Sequence, residues 1–137
     1  AGEYRGGSGA VRVYRSMNEN QTFTASFGRN KWPVWGAAGG KDGSVNYFQF
    51  IDADGTVSEP MGIAARRVMN TNDVVRMVTA TGGGYGNPFK RPAEKVAMDV
   101  KNEYITVEQA KADYGVLVDP ETFKVLGLTE ERQKAEK

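Results

Sequence analysis

Through roughly the first 80 residues the apolar positions recur with period two. Val11-Arg12-Val13-Tyr14 alternates, and within Thr22–Phe27 the side chains of Phe23, Ala25 and Phe27 share one face, the pattern of a half-buried strand. Asn18-Glu19-Asn20 lies between them as a polar turn, so the two segments read as a hairpin. Ser44 to Ile51 puts Val45, Tyr47 and Ile51 on one face and Phe48 and Phe50 on the other, which predicts a strand buried on both sides. Asp52-Ala53-Asp54-Gly55 ends it in an Asp-Gly turn, and Thr56-Val57 begins a return strand. Asn70 to Asp73 is a further turn, ahead of a strand over Val74–Thr79.

Beyond residue 91 the period becomes that of a helix. Pro92 suits a first helical turn, and Ala93, Val96, Ala97, Val100 and Tyr104 fall on one stripe. Thr106-Val107-Glu108-Gln109 has capping-box spacing and opens a short helix through Asp113, which Gly115 stops. Val116-Leu117-Val118 reads as a short strand before an Asp119-Pro120 turn. Thr129-Glu130-Glu131 caps a last helix whose polar end, Arg132 to Lys137, is expected to fray. The fold class is therefore mainly β, with a short C-terminal helical tail and glycine-rich loops connecting the strands. One domain or C-terminal segment is expected over 1–137: a β body over 8–80, a glycine-rich loop over 81–91, and a helical tail with a short strand over 92–137.

Glycine changes the picture. It bunches at Gly6-Gly7-Ser8-Gly9, at Gly36-Ala37-Ala38-Gly39-Gly40 and at Gly82-Gly83-Gly84-Tyr85-Gly86. Glycine permits close backbone approach at a cost in conformational entropy, so these runs predict tight, closely packed loops. The last run matches no phosphate-binding fingerprint. No Gly-Lys-Ser/Thr follows a leading glycine, and Asn87 stands where a dinucleotide motif needs its third glycine. A structural loop packed against another surface is the better reading than an anion cradle.

The remaining chemistry is sparse. With no His and no Cys, the usual neutral-pH base, the commonest metal ligand and the thiolate nucleophile are missing from the sequence. Asp52 and Asp54 sit at a turn without the further ligands of an EF-hand, and Ser8 lacks the spacing of a nucleophile elbow. No catalytic or metal-binding residue is assigned. Net charge is +1, from 18 basic and 17 acidic residues, which is no footprint for nucleic acid. No apolar run reaches membrane-spanning length, and cytoplasmic location is the default expectation. Mean hydropathy is −0.53, a thin core for this size, and Trp32, Trp35, Phe48, Phe50, Tyr85 and Phe89 are costly to leave wet. Trp32 and Trp35, flanking Pro33-Val34, read as an interface or local core cluster; the alternative is a stacking platform for a ligand such as a sugar.

Taken in order, these motifs resemble one family. Ala1-Gly2-Glu3-Tyr4-Arg5-Gly6-Gly7-Ser8-Gly9 resembles the G-x-Y-R-G-G-x-G motif in the last segment of the hydantoinase B/oxoprolinase family. Pro33 to Gly40 resembles its P-P-x-G-x-x-G-G element, and Thr79 to Pro88 its T-P-G-G-G-G-Y-G-D-P loop. Val100 to Asp119 resembles its closing stretch around D-Y-G-V-V. Ala80-Thr81 replaces the usual Pro-Gly and Asn87 the usual Asp, which loosens the start of the loop.

The resemblance implies ATP-dependent action on cyclic amides, such as hydantoins or 5-oxoproline, or carboxylation of ketones such as acetone. It places ATP and a divalent cation in partner subunits and none on this segment. The expected partners are larger hydantoinase A-type and B-type subunits in a hetero-oligomer, with no nucleic acid and no membrane. This stretch would then be a C-terminal segment, a separately encoded small subunit or a processed chain. Its role would be assembly and active-site support, with Gly82, Gly83, Gly84, Tyr85, Gly86, Trp32 and Trp35 as loop or interface residues. An independent small hydrolase using carboxylates is a third reading, decided by assays on the isolated chain.

Overall fold

The computed structural model describes residues 1–135. They form small antiparallel sheets followed by short helices, and they divide into two compact units. One comprises Gly9–Val34 and Ser44–Thr81; the other comprises Ala1–Ser8, Trp35–Gly43 and Gly82–Lys137.

The β unit holds β1 (Val11–Arg15), β2 (Gln21–Ser26), β3 (Tyr47–Ile51), β4 (Ile63–Met69) and β5 (Val74–Val78). A three-stranded sheet runs in the order β1-β5-β3, and β2 pairs with β4. The hairpin expected from β1 and β2 therefore does not form. The polar turn is there, but each strand joins a later one, Val13 facing Arg76 and Thr22 facing Val68. Pairing follows burial: Phe23 and Ala25 reach the core through β4, while every residue of β1 stays exposed.

β4 has no clean alternation because it carries a bulge. Phe23 pairs with Arg67 and Ala25 with Ala64, so two residues of β4 oppose Thr24. Arg66 takes a left-handed φ of 52° there, and its N–H donates to Thr24 Oγ1 at 3.0 Å. β3 begins at Tyr47, later than the pattern suggested. Phe48 and Phe50 are buried, but the opposite face is only half-buried, so the strand is not covered on both sides. The core is aromatic. Phe23, Phe27, Phe48 and Phe50 meet edge to face at centroid distances of 5.6–5.9 Å, with Met69 and Val75 filling beside them. The Asp52–Gly55 turn closes as expected, Gly55 N–H donating to Asp52 O at 2.8 Å with φ 90°.

In the other unit, α1 (Ala93–Lys101) and α2 (Val107–Tyr114) are the two helices that the stripe and the capping box predict. Glu103 at φ 60° reverses the chain between them. Thr106 accepts from Gln109 N–H while the Gln109 side chain accepts from Thr106 N–H, completing the capping box. Gly115 ends α2 at φ 64°. β6 (Val116–Val118) then pairs with β7 (Val125–Leu128), a strand the sequence pattern did not reveal. Val96, Ala97, Val100, Ala110, Tyr114, Val116 and Val118 form this unit's core.

A short helix, α3 (Glu130–Ala135), follows. Arg132 does not fray: it is 4% exposed and donates to Tyr114 O at 3.0 Å and Arg91 O at 2.8 Å. The expected fraying of Glu136 and Lys137 lies outside the described residues. None of the described helices is long and apolar enough to cross a membrane.

Two expectations follow. Thr106→Ala should cost about 1 kcal/mol of stability, read from urea unfolding, because α2 loses its capping acceptor. Asp119 accepts from the Thr122 N–H at 2.7 Å, the Thr122 hydroxyl at 2.9 Å and the Glu121 N–H at 3.0 Å. These bonds, the Thr122 amide foremost, hold its carboxyl below the ordinary value of 3.8. Its contribution is therefore complete above the unfolded pKa and lost as pH falls through the lower folded one. The stability gap between the native chain and Asp119→Asn should be full near pH 6 and shrink as pH drops below about 4.

Candidate functional site

Three glycine-bearing segments far apart in sequence meet in one layer: 1–8, 35–43 and 82–88. Their backbones bond to one another. Tyr4 and Tyr85 exchange N–H···O bonds of 3.0 Å. Ala37 N–H donates to Gly84 O, and Gly86 N–H donates back to Ala37 O, each at 2.9 Å. Gly82 N–H reaches Gly7 O and Gly84 N–H reaches Lys41 O, also at 2.9 Å, while Lys41 N–H donates to Ala1 O at 2.8 Å. Asp42 supports the middle segment by accepting from Gly36 N–H at 2.8 Å.

This closeness is what the glycines are for. A Cβ at Gly83 would collide with the Trp35 carbonyl, and one at Gly84 with the Ala1 carbonyl. Neither has positive φ; proximity alone excludes a side chain there. The loop packs directly on neighbouring backbone. An anion cradle requires convergent free amides, but those of Gly82, Gly84, Tyr85 and Gly86 are committed within the layer.

Aromatic rings stand on this layer. Tyr4 and Tyr85 are both exposed, their ring centroids 6.2 Å apart. Trp35, two residues before Tyr85's register partner Ala37, is 70% exposed. Trp32 is 78% exposed and belongs to the β unit, so neither tryptophan is part of a core. Gly86, at φ 76°, turns the chain beside Glu3, and Asn87 then caps the 3₁₀ turn Pro88–Lys90.

The charged partners of the layer escaped sequence reasoning. Asp99 on α1 is buried, and Arg91 Nη2 and Nε contact its Oδ2 at 2.9 and 3.1 Å. Arg5 Nε lies 3.5 Å from Oδ1, its guanidinium 4.3 Å above the Tyr104 ring. Arg91 Nη1 also donates to Glu3 O at 3.0 Å, and Lys41 pairs with Asp113. A usable signal existed. Asp99 is three residues after Val96, on the apolar side of α1, where an unpaired carboxylate could not stay. The arrangement fastens the first segment to α1. Among the described residues no group of three or more acidic residues is placed to hold a metal ion.

Residues 1–88 match the sequence profile of the family described as Hydantoinase B/oxoprolinase. The B-type subunit of a putative D-/L-hydantoinase from Pseudomonas sp. (strain NS671) is 32% identical over 119 residues, covering 85% of this chain and 20% of the relative. The ATP-dependent caprolactamase from Pseudomonas jessenii superposes on 98% of this chain and 23% of its own, with TM-score 0.72 and 28% identity. A nucleotide-free acetone carboxylase does so over 98% and 22%, with TM-score 0.77; at 20% identity this likeness concerns the fold alone. The chain thus spans about a fifth of the length of the proteins it matches.

The layer predicts a contrast among glycines. Gly83→Ala and Gly84→Ala should each destabilise the chain by about 1–3 kcal/mol, since backbones must separate, and Gly83→Val by more. Gly7, with nothing within 4 Å of its would-be Cβ, should tolerate alanine, and Ser8→Ala should be nearly silent. Urea unfolding of the set distinguishes packing from generic glycine loss.

Proposed function

The chain belongs to the hydantoinase B/oxoprolinase family, and on that premise we propose that it is a C-terminal segment or small subunit of an ATP-dependent hydantoinase, oxoprolinase or ketone-carboxylase assembly. Its role is to complete and hold the assembled B-type part rather than to carry the bond-making groups. The observation behind this reading is the glycine layer. Its amides are tied up in backbone pairing, and the groups it sends outward are aromatic rings suited to a protein surface. Relatives named as subunits, more than four times as long as this chain, support a place within a larger B-type body. In this reading ATP and its divalent cation act on the A-type partner. The substrate is a cyclic amide or a ketone activated by phosphorylation, and the assembly is a cytoplasmic hetero-oligomer.

Sedimentation of the chain alone and with purified A-type and B-type subunits tests this. A stable complex is expected, with ATP-dependent turnover reduced about tenfold or more when this chain is omitted. A chain that remains an inert monomer beside both partners, or that hydrolyses amides unaided, would sink the proposal.

A further inference from the structure

β1 is an edge strand: among the described residues it pairs with β5 on one side, and no strand lies on the other. Ala10 and Ser16, flanking β1, bond to β5 and its preceding turn. Ala10 O accepts from Thr79 N–H at 2.9 Å, and Ser16 N–H donates to Asp73 O at 2.8 Å. Antiparallel alternation then turns the N–H and C=O groups of Val11, Val13 and Arg15 away from β5, to the free side of the sheet. β1 has no proline, no bulge and no lysine, and its only charges are the two arginines. Val11, Val13 and Tyr14 are 55%, 61% and 50% exposed.

Two further observations describe what fits there. Beside the edge lies a groove of about 530 Å³ whose lining includes Tyr14, Met17, Phe23, Met69, Val75 and Met77. A strand added to β1 would send alternate side chains into it. Arg12 and Arg15 lie on β1 and Arg76 faces Val13 from β5, and none of the three makes an ion pair among the described residues. The edge is therefore apolar and cationic at once.

We propose that β1 accepts a strand of the larger B-type polypeptide, one that sets carboxylates against Arg12 and Arg15 and apolar side chains against Val11, Val13 and Tyr14. This rests on the assembly reading above and names the contact through which it operates. A second copy of this chain fits poorly. It brings no carboxylate: antiparallel self-pairing centred on Val13 sets Arg12 against Tyr14 and Arg15 against Val11, and parallel in-register pairing stacks each arginine on its twin. Strand addition combines main-chain bonds with side-chain selection, and here the selection is for negative charge.

Hydrogen exchange on the full chain, alone and bound to the purified B-type subunit, tests the contact. Amides of Val11, Val13 and Arg15 should slow about 100-fold or more on binding. Val13→Pro, placed where the N–H faces outward, should abolish that protection and weaken the complex about tenfold or more, while β3 and β5 amides stay protected. Should that variant misfold, the pair Arg12→Glu and Arg15→Glu carries the test, weakening the complex about tenfold at low salt and less at high salt. A complex that forms with these amides still exchanging freely overturns strand addition alone. Absence of any complex overturns the assembly reading with it. A homodimer whose β1 amides are protected also overturns the proposal, in favour of self-pairing.

Discussion

Backbone packed directly on backbone is the constraint on which one whole unit depends. Segments 1–8, 35–43 and 82–88 exchange main-chain bonds of 2.8–3.3 Å without room for side chains between several of them. Van der Waals contact sets how near two main chains come, and only a residue lacking Cβ permits the approach seen at Gly83 and Gly84. The entropy such residues lose on folding has to be offset by these bonds and by the helices behind. Here the first segment is tied down by Arg5 and Arg91 converging on the buried Asp99, and the last runs straight into α1.

The layer spends most of its main-chain groups on itself. Its donors point sideways into neighbouring strands, leaving few to stabilise a developing charge. Its side chains are few, and the large ones, Tyr4, Trp35 and Tyr85, project outward. Rings held on a stiff base lose little freedom when covered, which favours recognition of another surface. The β unit exposes the outer edge of β1 and the arginines along it. Each unit has a core of its own and exposes large apolar side chains.

Local chemistry in the sequence was legible where a residue's conformation depends on its near neighbours. The Asp-Gly turn, the Thr106–Gln109 capping box and the Gly115 stop are all formed as the sequence indicates. Pairing was not legible. Asn18-Glu19-Asn20 is a good turn, yet β1 and β2 part company because Phe23 and Ala25 find the aromatic core through β4. β4 itself was hidden by the bulge at Arg66, which breaks the alternation by one residue. Arg132 looked like a fraying end because nothing local shows that the Tyr114 and Arg91 carbonyls await it.

The sequence by itself determined the periods, the caps, the turns and the demand for close approach at its glycine runs, since each is a property of a few adjacent residues. From the order of those runs it also indicated the family. Only the tertiary structure decided which backbones those glycines would touch, that Asp99 would be buried between two guanidiniums, and that the tryptophans and β1 would remain uncovered. Those outcomes depend on contacts between residues tens of positions apart. Their energies come from burial and charge pairing that exist only once the chain has closed on itself.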